Sequence, residues 1–140
     1  MGERIEYSSG FKYQLRQKYM ISLKFPWATD VSCGFVSLSD GVLTIQHGYA
    51  WDGPSGPTWD TKTFMRGSLV HDALYQLIRT FDGCVSRKFA DETLYRICRE
   101  DGMCRARAWW VYRGVRLGAR RAAKPRASRK TIRAPSRRVG

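Results

Sequence analysis

Four side chains in one part of the sequence are suited to acid–base chemistry or to metal binding. His71 and Asp72 are adjacent, and Tyr75 follows His71 by four residues. In a helix this spacing places His71 and Tyr75 on one face, one turn apart. Asp91 lies at the edge of the apolar stripe of the next predicted helix, so we expect its carboxyl group to face the first helix. These residues define a candidate site.

A segment rich in Gly and Pro precedes these residues. Residues 48–61 contain three Gly and two Pro, which exclude a helix or a long strand, together with three large aromatic residues. Such a segment predicts an ordered loop whose aromatic side chains pack into the body of the protein. The predicted pocket between this loop and the helices is lined by Asp52, Ser55, His71, Asp72, Tyr75 and Asp91.

One interpretation of this pocket is catalytic. An adjacent His-Asp pair on a helix supplies two ligands in one class of metal-dependent phosphohydrolases, which also requires an upstream His and a downstream Asp. His47 and Asp91 are the available candidates. A small hydrolase that uses a divalent metal and the six residues of the pocket is therefore one hypothesis.

The other interpretation is structural, and the sequence favours it. His71 and Asp72 would hydrogen-bond the loop, whose backbone groups lack partners in a sheet, and Asp91 would accept from Tyr75 or from the loop. The predicted clasp consists of Trp51, Asp52, Ser55, His71, Asp72, Tyr75 and Asp91. This interpretation requires no cofactor, and it makes an enzyme the less favoured class.

The elements that would position these residues follow from the pattern of apolar residues. The first sixty residues read as strands, with a hairpin turn at Ser39-Asp40-Gly41. From Phe64 to Arg79 the period changes to that of a nearly buried helix, and Ser86 caps a second helix that runs to about Glu100. A third helix begins near Met103. The sequence predicts an α+β fold: a small N-terminal antiparallel β-meander, an ordered Gly/Pro/Trp loop, three C-terminal helices and a basic C-terminal arm.

The positive charge of the chain is confined to its last quarter. Residues 105–140 contain 13 Lys and Arg residues and no acid, so they account for the whole net charge of +13. We expect a compact domain over residues 1–118 and an Arg-rich extended arm over residues 119–140 that contacts a partner. The predicted partner-binding residues are Trp109, Trp110, Arg113, Arg116, Arg120, Arg121, Lys124, Arg126, Arg129, Lys130, Arg133, Arg137 and Arg138.

Several classes of protein are disfavoured. The first ten residues do not resemble a signal peptide, and no apolar run approaches the length of a membrane span, so we expect no contact with a membrane. The four Cys residues form no C-x-x-C pair, which disfavours zinc ribbons and predicts buried free thiols. The third helix is expected to turn Cys104 and Gly118 inward.

The motifs also carry a resemblance. The run G-Y-A-W-D-G-P-S-G-P, then V-H-D-A-L-Y-Q and F-A-D-E-T-L, resembles a family of small proteins of tailed bacteriophages and prophages whose members carry a domain of unknown function. The resemblance covers roughly residues 11–118. The motif positions are Tyr49, Trp51, Asp52, Gly53, Ser55, Gly56, Pro57, His71, Asp72, Leu74, Tyr75 and Asp91.

The resemblance implies a phage setting and no particular reaction. The expected function is therefore that of a virion-associated structural or assembly protein, a neck, tail or capsid accessory component present in multiple copies. It would be made in the host cytoplasm and located in the virion, with other virion proteins as partners and packaged DNA as a possible partner of the arm. The small hydrolase remains the alternative.

Overall fold

The protein folds as two small antiparallel sheets followed by three helices, which confirms the predicted α+β class. The computed structural model describes residues 5–8, 13–24, 30–51, 62–82 and 84–122. The strands are β1 Tyr7–Ser8, β2 Tyr13–Leu15, β3 Tyr19–Ser22, β4 Val31–Cys33, β5 Val36–Ser39, β6 Val42–Ile45 and β7 Ala50–Trp51. The helices are α1 Lys62–Thr80, α2 Arg87–Glu100 and α3 Arg105–Ala122.

The strands form a meander with a second, smaller sheet beside it. The larger sheet has the order β3-β6-β5-β4, and the smaller sheet has the order β1-β2-β7. The predicted turn joins β5 to β6, where Asp40 and Gly41 have φ angles of 49° and 74°. Positive φ at both central residues of a two-residue turn matches the twist of a hairpin, which is why Asp-Gly is favoured there.

The sheet positions α1, and α1 positions the other helices. Leu38 of β5 and Leu43 of β6 are fully buried, and α1 packs on β4 and β5. On its other sides α1 contacts α2, which in turn contacts α3. This central place explains why α1 is apolar around more than half of its circumference, as the sequence predicted.

Helix α2 begins and ends where its capping residues predict. The backbone N–H of Phe89 donates to Oγ of Ser86 at 3.0 Å, which satisfies one of the free N–H groups of the first turn. Gly102 follows the helix with a φ of 99°, a conformation that glycine adopts without strain.

The contact between α1 and α2 depends on Gly67. A Cβ atom at this position would lie 2.9 Å from Sγ of Cys98 and 2.9 Å from Cδ1 of Leu94. The two helices therefore approach closely at Gly67, where any larger residue would require Cys98 and Leu94 to shift, and this approach brings the polar side chains of α1 and α2 within hydrogen-bond distance one turn further along.

Some predicted details were wrong. Cys104 is exposed, because it precedes the first turn of α3 and its carbonyl accepts from the N–H of Ala108; Met103 is buried in its place. Gly118 also lies on the exposed side of α3. The four thiols are free, but only Cys98 is fully buried, and burial raises its pKa to about 12.

Helix α3 continues past the predicted start of the arm at residue 119. The helical backbone reaches Ala122, and the rest of the predicted arm, residues 123–140, lies outside the described residues. The boundary between domain and arm stays a prediction. Within the described part of the chain, no helix has the length and the apolar character needed to cross a bilayer.

Candidate functional site

The three helices bring three polar side chains together around the carboxyl group of a fourth, Asp91. His71 and Tyr75 come from α1, Asp91 from α2, and Arg116 from α3. The structure therefore unites three of the predicted site residues and adds an arginine that the sequence analysis had assigned to partner binding.

Asp91 is the centre of this group and is fully buried. Its Oδ1 accepts a hydrogen bond from the Tyr75 hydroxyl at 2.8 Å and lies 2.7 Å from Nε2 of His71. Its Oδ2 accepts from Nη1 of Arg116 at 3.0 Å. Three donors around one buried carboxyl group are the surroundings that a carboxylate anion requires away from water.

These contacts determine the orientation of the His71 ring. Because the Asp91 carboxylate accepts a hydrogen bond, Nε2 carries the proton in the neutral ring and the lone pair is on Nδ1. Nδ1 lies 3.9 Å from Oδ1 of Asp72, whose side chain is 37% exposed, whereas the His71 side chain is 13% exposed. The proton-accepting nitrogen thus lies on the side of Asp72, the more exposed of the two carboxyl groups near the ring.

The same surroundings shift the pKa of two side chains. Burial disfavours the charged form of His71, but hydrogen bonds and negative charge from Asp72 and Asp91 outweigh it, so its pKa is raised above the usual 6.5. Burial and the hydrogen bond to Asp91 raise the pKa of Tyr75. Tyr75 therefore remains a hydrogen-bond donor across the physiological pH range.

The loop side of the predicted clasp is only partly within the described residues. Trp51 is buried, and its Nε1 donates to Oγ of Ser68 at 3.1 Å, which ties β7 to α1 one turn before His71. Asp52 and Ser55, with Gly53, Gly56 and Pro57 of the motif, lie outside the described residues. Whether they hydrogen-bond His71 or Asp72 stays a prediction.

A second buried polar group was not predicted. Arg66, on α1, is buried and donates to both carboxyl oxygens of Asp101, to Glu100 at 2.8 Å, and to the Tyr19 hydroxyl at 3.1 Å. Burial alone would lower the pKa of this guanidinium. The hydrogen bonds to its partners outweigh the effect of burial, so the pKa is raised. The group joins β3 and the end of α2 to α1. An arginine within the apolar face of a predicted buried helix was the available signal for it.

No metal centre of several protein ligands is formed by the described residues. Among them, no three His, Cys, Asp or Glu side chains lie close enough to hold one ion, so His47 and Asp91 do not complete the arrangement of the phosphohydrolase hypothesis.

The predicted partner-binding residues on α3 divide into two sets. Trp109, Trp110 and Arg113 are exposed, and the Arg113 guanidinium lies 5.5 Å from the centre of the Trp109 ring. Arg116 instead contacts buried Asp91. A buried acid such as Asp91 requires a cationic partner, and α3, which packs on α2, supplies Arg116. That requirement was the signal from which this contact could have been predicted. The remaining predicted residues, Arg120 to Arg138, have side chains outside the described part of the chain.

The fold and the site define a small α+β protein with a His–Asp pair held between three helices. The chain belongs to the family described as proteins of unknown function DUF1353, whose family model matches residues 27–115. Neither a curated relative nor a solved structure matches the chain. The matched region contains His71, Tyr75 and Asp91, and it ends one residue before Arg116.

Proposed function

We propose that the protein is a small hydrolase in which His71 is the general base. One observation carries this proposal: Nε2 of His71 lies 2.7 Å from buried Asp91, while Nδ1 lies on the other side of the ring, 3.9 Å from Oδ1 of the more exposed Asp72. A histidine whose one nitrogen is held by a carboxylate presents its other nitrogen as a proton acceptor of fixed direction. The hydrogen bond from Tyr75 to Asp91 is also a contact of the structural clasp that the sequence favoured, and the proposal adds a catalytic role to the same group.

The reaction that this arrangement supports is the hydrolysis of an ester. Nδ1 takes a proton from a water molecule while the water oxygen forms a bond to the electrophilic carbon or phosphorus. The bond to the leaving oxygen then breaks, and the proton passes from Nδ1 to that oxygen. The products are an acid and an alcohol, and Asp91 stabilises the protonated ring between the two proton transfers.

Tyr75 and Arg116 act through Asp91 and are positioning residues. Both donate to the carboxylate, from α1 and α3 respectively, and together they fix its orientation towards His71.

Asp72 is the residue that would bind a divalent cation. Its carboxylate is 37% exposed and lies 3.9 Å from Nδ1, where a Ca²⁺ or Mg²⁺ ion shared with substrate would polarise the bond under attack. The base chemistry of His71 does not depend on this ion, so the two ideas are tested separately.

The experiment compares two histidines of the full chain. A panel of carboxylic and phosphoric esters is offered to the wild type, His71→Asn and His47→Asn, each with Ca²⁺, with Mg²⁺ or with a chelator. His47 lies in an exposed turn, which makes it the matched control. We expect His71→Asn to lower the rate by about 100-fold or more and His47→Asn to leave it unchanged. Equal rates in all three proteins would overturn the proposal.

A second candidate function is that of an assembly component of a bacteriophage particle. The acid-free C-terminal quarter and the exposed Trp109 and Trp110 support it, since Trp and Arg are the residues that most often carry binding energy at interfaces. In this account the body and the arm contact other virion proteins or packaged DNA. Mass spectrometry of purified particles should detect the protein in multiple copies; particles that lack it would exclude this candidate.

A further inference from the structure

Arg87 is a cation of the helical site that has no carboxylate partner. It is the first residue of α2 and precedes Asp91 by four residues, so the two side chains lie on one face of the helix, one turn apart. Within the part of the chain that the structure describes, Arg87 is partly buried and forms no hydrogen bond or ion pair. The oxygens of Asp91 are not available to it, because they already accept from His71, Tyr75 and Arg116.

Arg116 supplies a second set of donors beside the same carboxylate. Its Nη1 donates to Oδ2 of Asp91, its side chain is 37% exposed, and its remaining N–H groups have no partner among the described residues. Burial and the hydrogen bond to Asp91 raise the pKa of Tyr75, whereas the positive charges of Arg116 and Arg87 both oppose this rise. Both guanidinium groups are therefore close enough to the Tyr75 hydroxyl to act on it.

The stability of the fold does not account for the position of Arg87. The first turn of α2 contains Arg87 and Lys88 and no acidic residue. A cation in the first turn of a helix opposes the helix dipole, and a partly buried cation without an anionic partner loses hydration that nothing replaces. An anion bound between Arg87 and Arg116 would offset both of these costs.

The chemistry of the two arginines indicates which ligand they fit. A planar guanidinium group presents its N–H donors in pairs that match two oxygens of a carboxylate or of a phosphate. On the Asp91 side of the His71 ring, two such groups are balanced by one carboxylate, so a further negative charge is attracted there.

We propose that Arg87 and Arg116 bind an oxyanion group of the substrate, a carboxylate or a phosphate, and that the protein therefore selects anionic esters. This inference rests on the proposed hydrolase function of His71. The base nitrogen Nδ1 lies on the side of Asp72, whereas the two arginines lie on the side of Asp91. The bound anion is therefore a different group of the substrate from the ester that water attacks, and Arg87 determines specificity.

The first experiment compares esters that share one leaving group. The full chain is offered para-nitrophenyl acetate, which is neutral, and mono-para-nitrophenyl esters of dicarboxylic acids of increasing length, which carry a free carboxylate. We expect kcat/KM for the best anionic ester to exceed that for the acetate by about tenfold or more, and Arg87→Gln to remove this preference, chiefly through KM. Lys88→Gln is the matched control and should keep the preference, because it removes the same charge from a side chain that is 67% exposed and only weakly paired with Glu92.

A second experiment measures binding without turnover. Inorganic phosphate and acetate are titrated into the full chain and followed through the ring NMR signals of Tyr75. We expect at least one of the two anions to bind, about tenfold more weakly to Arg87→Gln than to the wild type, and the tighter anion identifies the class of oxyanion. Arg87→Lys keeps the charge and should retain part of the binding.

The outcomes separate this inference from the hydrolase itself. The inference is overturned if neither anion binds, if Arg87→Gln binds them as the wild type does, or if the preference for anionic esters survives in Arg87→Gln. Anion binding that depends on Arg87, in a protein whose rate of hydrolysis does not depend on His71, would contradict the proposed hydrolase and leave the anion site in place.

Discussion

At the scale of single residues, Asp91 determines what the site can do. Its carboxylate receives His71, Tyr75 and Arg116 from three directions, and it is fully removed from water. The same contacts orient a potential base and connect three helices, so a change at this residue should affect both the activity and the stability of the protein.

Asp91→Asn should strongly destabilise the protein. The amide cannot compensate Arg116 and the protonated ring, and its NH₂ group faces donors, so we expect a loss of about 3 kcal/mol in the free energy of unfolding. Chemical denaturation measures this loss. Glu92→Gln is the control, because this neighbour on α2 is exposed and its weak pair with Lys88 at 3.8 Å contributes at most about 0.5 kcal/mol. Similar effects of the two changes would contradict the assigned role of Asp91.

His71 should make stability depend on pH in a defined direction. Its folded pKa is raised above 6.5, so the folded state binds the proton more tightly than the unfolded state does. The stabilisation is fully present below pH 6.5 and is lost as the pH rises through the higher folded value. Chemical denaturation across this pH range should show the decline in stability in the wild type and not in His71→Asn. The same dependence of stability on pH in both proteins would contradict the raised pKa of His71.

Catalysis by His71 should have the opposite dependence. The ring accepts a proton only when it is neutral, so the rate of ester hydrolysis should rise with pH through the same raised pKa. Tyr75→Phe removes one of the donors that compete for Asp91 and should move the midpoint of this profile while retaining activity. If Tyr75 had only a structural role, Tyr75→Phe would change the amount of folded protein and leave the midpoint of the pH profile unchanged.

At the scale of the elements, features encoded by neighbouring residues were predicted, whereas contacts between residues far apart in the sequence were not. The Ser86 cap, the Asp40-Gly41 turn and the period of α1 are each encoded within a few residues, and each was predicted. The contact of Arg116 with Asp91 was not predicted, because the two residues lie 25 positions apart on different helices. The contacts of Arg66 were missed for the same reason.

The close approach of α1 and α2 gives a test of helix packing. Gly67→Ala places a methyl group 2.9 Å from two buried side chains, so we expect a loss of about 1–3 kcal/mol despite the better helix propensity of alanine. Gly114→Ala is the matched change, since nothing lies within 4 Å of a Cβ there, and it should stabilise by about 0.5–1 kcal/mol. Thermal unfolding of both variants measures the two effects, and the same sign for both would contradict this packing.

At the scale of the whole molecule, two groups of residues with different chemistry are separated in space. The interior of the helical layer holds the His–Asp pair, and the outward face of α3 holds exposed tryptophans and arginines. The charge distribution that separates them was visible in the sequence, because net charge is a sum over residues. The orientation of the His71 ring could not be predicted from the sequence, since it depends on distances of less than 3 Å between helices.

The direction of the His71 ring is the central claim, and nitrogen NMR of the full chain tests it without a substrate. The ¹⁵N shifts and their couplings to the ring protons show which nitrogen of His71 carries the proton once the pH exceeds its pKa. We predict a protonated Nε2 held by Asp91 and an unprotonated Nδ1. In a neutral ring protonated at Nδ1, the lone pair would be on Nε2, next to buried Asp91. That nitrogen could not act as the base, so this result would contradict the proposed hydrolase.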